Sequence, residues 1–487
     1  MKSSLALLFA LSVSAFAANE DATKFAFEAT VQKKSGHGKQ PDAIRRWNKI
    51  AIDATGYDHA GPRQQMGPGR ASRALAIVHT AIFDVVNAVK GDYESYTGIL
   101  AAKRPISTDI AVSQAAHDTL VALFPAQAAS FDAWLAKDLD GTKIKKEQAN
   151  GSDLGKRAAT AILALKANDG AEIPEPLMGV GYIPSSLPGH WRQDPISLIP
   201  LALGAHWGEC VPFVLEAGSQ FRAPLHPAIG TPEYAAAYDE VKRLGGDGVS
   251  TPTERTPEQT VIGIFWAYDG TPSLGVPPRL YNQITTTIAD QMGTDDLELA
   301  RLLALVNVSM ADAGMAVWDS KYFYDLWRPI GGIRESDPSS AGPGDGNAAT
   351  VGDSNWKPLG AQASNLTGPN FTPPFPAYPS GHAGFGGALF QTLRRFYGTD
   401  RIPFTFVSDE FNGVTKDNNG NVRPYLPRTF NSLSQAEEEN GQSRIYLGIH
   451  WSFDKTVGIA QGRLVADYVF DNAFKPRRHR HGSDASP

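Results

Sequence analysis

Eight residues in the last third of the chain have the types and spacing to hold and activate an oxyanion: Lys321, Arg328, Ser380, Gly381, His382, Arg444, His450 and Asp454. The first two lie in KYFYDLWRP, residues 321–329. They are seven apart, so on one helix they would fall about 20° short of two full turns and share a face. Pro329 disfavours helix at Arg328 and predicts a stop there. Two cations on one stripe could be a solvated face. The aromatic residues between them suggest instead a buried stripe that needs an anion. The next group lies in FPAYPSGHAGFGGALF, residues 375–390. Pro-Ser-Gly predicts a turn, with an apolar helix starting near His382. Ser380 and Gly381 then offer a hydroxyl and free N–H groups at a helix start, where partial positive charge favours anions. A plain helix cap would read the same way. The last group lies in SRIYLGIHWSFDKTVG, residues 443–458. Arg444 and His450 are six apart, so a break must separate them if both are to face one pocket. Asp454, four after His450, is one helical turn away and would orient its ring. Alone, His450 reads as a satisfied core histidine. In order, the segments supply three cations, a helix-start nest and two histidines. Arginine forks suit the oxygens of a tetrahedral anion. One histidine can attack or ligate the central atom, and the other can move protons.

These residues need a rigid frame. The chain has 487 residues, enough for two or three ordinary domains or one large one. A hydrophobic fraction of 42% with 20% charged residues is that of a globular protein. The formal net charge of −6 argues against a general grip on nucleic acid. The one cysteine, Cys210, excludes an intramolecular disulfide and cysteine-rich zinc sites. Helical periodicity is read at 71–90, 110–124, 153–167, 232–244, 257–268, 296–326, 382–397, 432–444 and 450–472. His79 and Asp84, in the first of these, read as a packed histidine and a polar contact. Residues 172–227, rich in Gly, Pro and Trp, read as a structured connection. Residues 398–429 read mostly as loop. Few segments alternate like strands, so an all-α fold is expected.

The chain opens with Lys2, an apolar stretch from Leu5 to Phe16, and Ala15-Phe16-Ala17 as a cleavage site. Residues 1–17 are expected to be a signal peptide, giving a secreted or periplasmic protein. A membrane anchor is the alternative, but the stretch is short for a bilayer. No membrane span is expected later: the nearest approach, Leu302 to Trp318, is interrupted by Asn307 and Asp312. The expected divisions are 18–250, an N-terminal helical region; 251–474, the oxyanion-binding helical domain; and 475–487, a basic then polar tail.

The tripartite signature resembles the superfamily that joins vanadium-dependent haloperoxidases with type 2 phosphatidic acid phosphatases and bacterial class A acid phosphatases. Within it the chain is most similar to fungal-type vanadium chloroperoxidases. The likeness runs from WAYDG (266–270) and PPRLYNQI (277–284) to SRIYLGIHWSFD, and is less clear in the N-terminal half. The resemblance implies two four-helix-bundle-like halves with long loops, the site lying in the C-terminal bundle. It implies one vanadate per chain, and no haem, flavin or NAD. His450 would be the vanadium ligand. Lys321, Arg328, Ser380, Gly381 and Arg444 would bind the vanadate oxygens, and His382 would be the acid–base group. Trp318 and Phe375 would line a halide pocket, Asp269 would pair with Arg444, and Asp454 would support His450. Hydrogen peroxide and chloride or bromide would be the substrates, with Lys321 polarising peroxide and hypohalous acid as product. Phosphate would compete as an oxyanion. The alternative is a soluble exported acid phosphatase, with His450 as nucleophile and His382 as general acid.

Overall fold

The computed structural model describes residues 42–477, except 339–341 and 343. The expected signal peptide and almost all of the basic tail lie outside the described residues. Five helices come first: α1 (Ala43–Asp58), α2 (Gly67–Lys90), α3 (Thr108–Leu123), α4 (Ala128–Gly141) and α5 (Lys145–Leu165). Residues 172–227 then run irregularly, with 3-10 turns at Trp207–Glu209 and Gly218–Phe221. Next come α6 (Pro232–Leu244), α7 (Pro257–Phe265), α8 (Pro277–Met292), α9 (Asp296–Tyr324), α10 (Pro329–Glu335) and α11 (Gly381–Tyr397). The hairpin strands β1 (Phe404–Asn412) and β2 (Tyr425–Phe430) precede α12 (Leu433–Tyr446) and α13 (Ser452–Asn472). The fold is all-α in class, as expected. One continuous buried core runs from Ala43 to Phe474 and takes side chains from both the early and the late helices.

The axis of this core is α9. Asp295 caps its start, accepting from the amides of Leu297 and Glu298, which satisfies two of the free N–H groups. Its apolar residues face all round, which suits a helix enclosed by others. By length and composition α2 and α9 could each cross a bilayer, but 89% and 100% of their most apolar windows are buried inside the fold. That burial accounts for their hydrophobicity, including the stretch from Leu302 to Trp318.

One local expectation needs correction and another needs refinement. Helix α9 stops at Tyr324, with Asp325 in the left-handed region (φ 54°), and Arg328 is extended (φ −76°, ψ 158°) as the residue before α10. Lys321 and Arg328 therefore do not share a helix face; a turn of the chain brings Arg328 in. Residues 398–429 are loop over more than half their length, as expected, but they also carry β1 and nearly all of β2. Phe404 to Val407 pair with Phe430 to Pro427 in antiparallel register. Phe404, Phe406, Ser408 and Glu410 alternate inward, a period-two signal that the surrounding Pro and Asn-Asn-Gly obscure.

His79 and Asp84 are structural, as their helical context suggests. His79 is fully buried and donates from Nε2 to Asn48 Oδ1 (2.9 Å). Asp84 accepts from the amides of Tyr96 and Thr97 and so ties down the turn after α2. Burial pushes the His79 pKa down to about 3. The unfolded chain then takes up a proton below about pH 6.5 that the folded chain refuses, so this group's contribution weakens as pH falls. Between pH 7 and 5 it removes about 2 kcal/mol. His79→Gln is expected to lose that much less unfolding free energy than the parent over the same interval, measured by denaturant titration at both pH values.

Candidate active site

The two helices that carry the site pack unusually closely. A Cβ on Gly462 of α13 would lie 2.0 Å from the Gly384 oxygen of α11, and one on Gly387 would lie 2.4 Å from the Ile459 oxygen. This seam of small residues sets the first turn of α11 against the first turn of α13. The Ser380 amide donates to the Asp454 oxygen (3.0 Å) across that junction. Ser380 caps α11, its Oγ accepting from the Ala383 amide (3.4 Å). The N–H groups of Gly381 and His382 begin the helix and have no acceptor within it. A Cβ on Gly381 would come within 3.2 Å of the Trp318 ring.

The structure brings every expected site residue into one buried region. Lys321, Arg328, Arg444 and His450 are all buried, each no more than 2% exposed. Helix α12 ends just after Arg444, Gly448 turns the chain with φ 73°, and His450 precedes α13. The break expected between Arg444 and His450 is therefore present. His450 itself lies outside the helix, contrary to the expected start of the last helix at 450. Asp454 still reaches it, because its Oδ2 accepts from His450 Nδ1 (2.8 Å) and from the Trp451 amide (3.1 Å).

These contacts fix the protons on His450. Nδ1 carries the hydrogen given to Asp454, and Arg328 Nη1 donates to Nε2 (2.9 Å), so Nε2 presents a lone pair. Burial, then Arg328 and Lys321, hold the ring's pKa well below the ordinary histidine range. His382 donates from Nε2 to the Ala267 oxygen (2.5 Å), which leaves Nδ1 unprotonated in the neutral ring. Burial and Arg444 hold its pKa well down too.

The cations lack enough counter-charge. Arg444 is paired with Asp269 (Nη2 to Oδ1, 2.5 Å), as the resemblance implies. Arg328 donates to the Phe375 oxygen (2.9 Å) and the Ile449 oxygen (2.8 Å), and no described carboxylate lies within ion-pair distance of it. Lys321 directs its ammonium hydrogens to the oxygens of Pro376 (2.9 Å), Ala377 (2.8 Å) and Pro379 (2.5 Å). Arg328 Nη2 and Arg444 Nε are buried with no hydrogen-bond partner. An unpaired buried donor costs about 1–3 kcal/mol, and more when charged. Burial, opposed in part by Asp454, lowers the Arg328 pKa to about 9. Burial and the neighbouring Arg328 hold Lys321 well below its usual range. Burial raises Asp454 to about 7 and also raises Asp269. A cluster of cations around a histidine lone pair, with two guanidinium nitrogens unpartnered, fits an oxyanion. Vanadate answers that description.

The Trp318 and Phe375 rings lie 4.9 Å apart, with Lys321 Nζ 5.2 Å and the Arg328 guanidinium 4.9 Å from the Phe375 centroid. One wall of the site is thus apolar and faces cations.

Sequence reasoning missed a supporting layer. Glu410 of β1 is fully buried, pairs with Arg423 and accepts from Ser364 Oγ (2.6 Å). Arg423 also donates to Gln362 Oε1 (3.0 Å), and the Gln362 amide bonds Asp269. Tyr268, next to Asp269, has φ 46°, and its hydroxyl accepts from the Asp409 amide (2.7 Å) and donates to Gln283 (3.0 Å). The hairpin therefore shapes the loop that holds Asp269 against Arg444. Alternation along β1 was the available signal. The carbonyls that receive Lys321 and Arg328 left no sequence signal.

Comparison with known proteins places this arrangement. Residues 301–479 match the model of the VCPO second helical-bundle domain. The vanadium chloroperoxidase of Curvularia inaequalis is 31% identical over 497 aligned residues, covering 84% of this chain and 78% of the relative. The likeness therefore extends well into the N-terminal half, further than the motifs alone indicate. The crystal structure of a bacterial vanadium-dependent iodoperoxidase superposes with a TM-score of 0.70 at 24% identity, over 90% of this chain and 99% of the other. A holo bacterial vanadium-dependent chloroperoxidase gives 0.61 at 17% identity, over 83% and 92%. These two show a shared fold. The extent of identity with the fungal enzyme carries the stronger conclusion: the chain is an enzyme of the vanadium haloperoxidase family.

Proposed function

We propose that this enzyme oxidises chloride or bromide with hydrogen peroxide to hypohalous acid, using one vanadate held on His450. The observation that carries this reading is the cage itself: a histidine lone pair at Nε2 beside the unpaired Arg328 Nη2 and Arg444 Nε. Ser380, the Gly381 amide and the Lys321 charge complete the residues that would hold the oxyanion. Bound vanadate supplies a Lewis acid that activates peroxide oxygen for attack by halide. The chain does the rest. Asp454 holds the His450 ring with its lone pair inward. Asp269 keeps the Arg444 fork in place. His382 Nδ1 is free to take a proton from peroxide and return it to the leaving oxygen. Trp318 and Phe375 strip water from the halide, and the nearby cations attract it. Lys321 is anchored by three carbonyls, so it polarises the site from a fixed position.

Cys210 suits such a product. It is the one thiol, it is buried, and burial raises its pKa to about 11, so little reactive thiolate is exposed to hypohalous acid. Export through the N-terminal segment, to a periplasmic or extracellular site, belongs to the same proposal and rests on its sequence alone.

Phosphate fits the same cage, so the test runs two assays side by side. Protein loaded with orthovanadate receives peroxide and chloride, bromide or iodide, and halogenation of a β-diketone is followed. Vanadate-free protein receives a phosphomonoester. Vanadate-dependent halogenation, slowed when phosphate is present during loading, is the expected result. Fast hydrolysis with no vanadate-dependent halogenation would assign the cage to phosphate-ester cleavage instead.

A further inference from the structure

A second cavity, about 200 Å3 in volume, lies where α10 meets residues 190–195. An apolar cavity of about 150 Å3 can hold a benzene ring, so a single aromatic ring fits here by size. Of the cage residues only Arg328 reaches its lining; Lys321, His382, Arg444 and His450 do not. It lies beside the cage and shares Arg328 with it.

Its charged groups are unevenly paired. His190 Nδ1 bonds Asp325 Oδ2 (2.9 Å), and Arg192 pairs with Glu335. Asp194 is used by the amides of Ile196 (3.2 Å), Ser197 (3.1 Å) and Thr372 (3.1 Å). Arg334 remains. Its Nε donates to the Trp356 oxygen (2.8 Å), and no described carboxylate lies within ion-pair distance of it. Thr372, 2% exposed, has a hydroxyl with no hydrogen-bond partner. Trp327, Ile330 and Pro195 supply apolar lining. A guanidinium with no carboxylate in ion-pair contact, a buried hydroxyl without a partner and an apolar floor are the complement of a small organic anion.

We propose that this cavity binds a small aromatic carboxylate, its ring against Trp327 and Ile330 and its carboxylate on Arg334 and the Thr372 hydroxyl. Guanidinium suits a carboxylate by geometry as well as charge. The site does not depend on the cofactor.

Benzoate is the probe, titrated calorimetrically into the full chain with and without saturating vanadate. Saturable binding in both states is expected. Arg334→Gln and the near-isosteric Thr372→Val are each expected to weaken it by about tenfold or more, as loss of a hydrogen bond to a charged group does. Thermal unfolding of each variant checks its fold, and Thr372→Val decides alone if Arg334→Gln does not fold. Three results would overturn the proposal: no saturable binding, binding that vanadate displaces, which places benzoate in the cage, or binding that a folded variant leaves unchanged. A cavity that holds only water gives the first.

Discussion

Replacing His450 with alanine is expected to weaken vanadate binding more than about 100-fold. Losing a residue that merely supports a metal ligand costs 10–100-fold, and here the ligand atom itself is removed. No other described side chain is placed to substitute for it. His382 is held to the Ala267 oxygen, and Asp454 is turned to the Trp451 amide. The loss also releases Arg328 Nη1, which now donates to Nε2, and deprives Asp454 Oδ2 of its Nδ1 donor. Equilibrium dialysis against orthovanadate measures the effect, with circular dichroism to check the fold. Full halogenation by this variant, at matched vanadate occupancy, would count against His450 as the ligand.

Gly462→Ala is expected to destabilise the enzyme by about 3 kcal/mol, at the upper end of the usual cost of overpacking. Two effects compete. Alanine favours helix over glycine by up to about 1 kcal/mol. Against that, the added Cβ would lie 2.0 Å from the Gly384 oxygen and 2.8 Å from the Ala388 nitrogen. Both are backbone atoms of a helix, so no side-chain rotation relieves the clash, and α11 and α13 must part. The clash therefore wins. The first turns of these helices carry Ser380, Gly381, His382 and Asp454, so vanadate affinity should fall together with the thermal midpoint. Gly141→Ala is the control. Gly141 also lies in a helix, but a Cβ there meets nothing within 4 Å, so it should leave stability unchanged or raise it. Equal effects of the two substitutions would show that close approach of the helices does not constrain the site.

Residue type and order made much of this site legible. Ser380 and Gly381 sit at a helix start because Pro-Ser-Gly followed by an apolar run is a local signal. Asp454 finds His450 because four residues of chain allow it even without a helical turn between them. Arg328 reached the right place for a different reason from the one its spacing suggested. A seven-residue interval is compatible with a shared helix face, but Asp325 in the left-handed region ends α9 first. Periodicity cannot register that single-residue event. The hairpin escaped notice because its alternation is brief and its flanks look like loop. Yet Glu410 and Arg423 on it shape the loop bearing Asp269. The backbone oxygens that anchor Lys321 follow from tertiary packing, which sequence pattern does not carry.

The cage is tested most directly by a crystal structure of the full chain soaked with orthovanadate in phosphate-free buffer. The expected map has one vanadium per chain attached to His450 Nε2, with Arg328 Nη2 and Arg444 Nε donating to its oxygens. Vanadate bound away from His450, or a cage left empty under saturating vanadate with Arg328 still donating to Nε2, would contradict it.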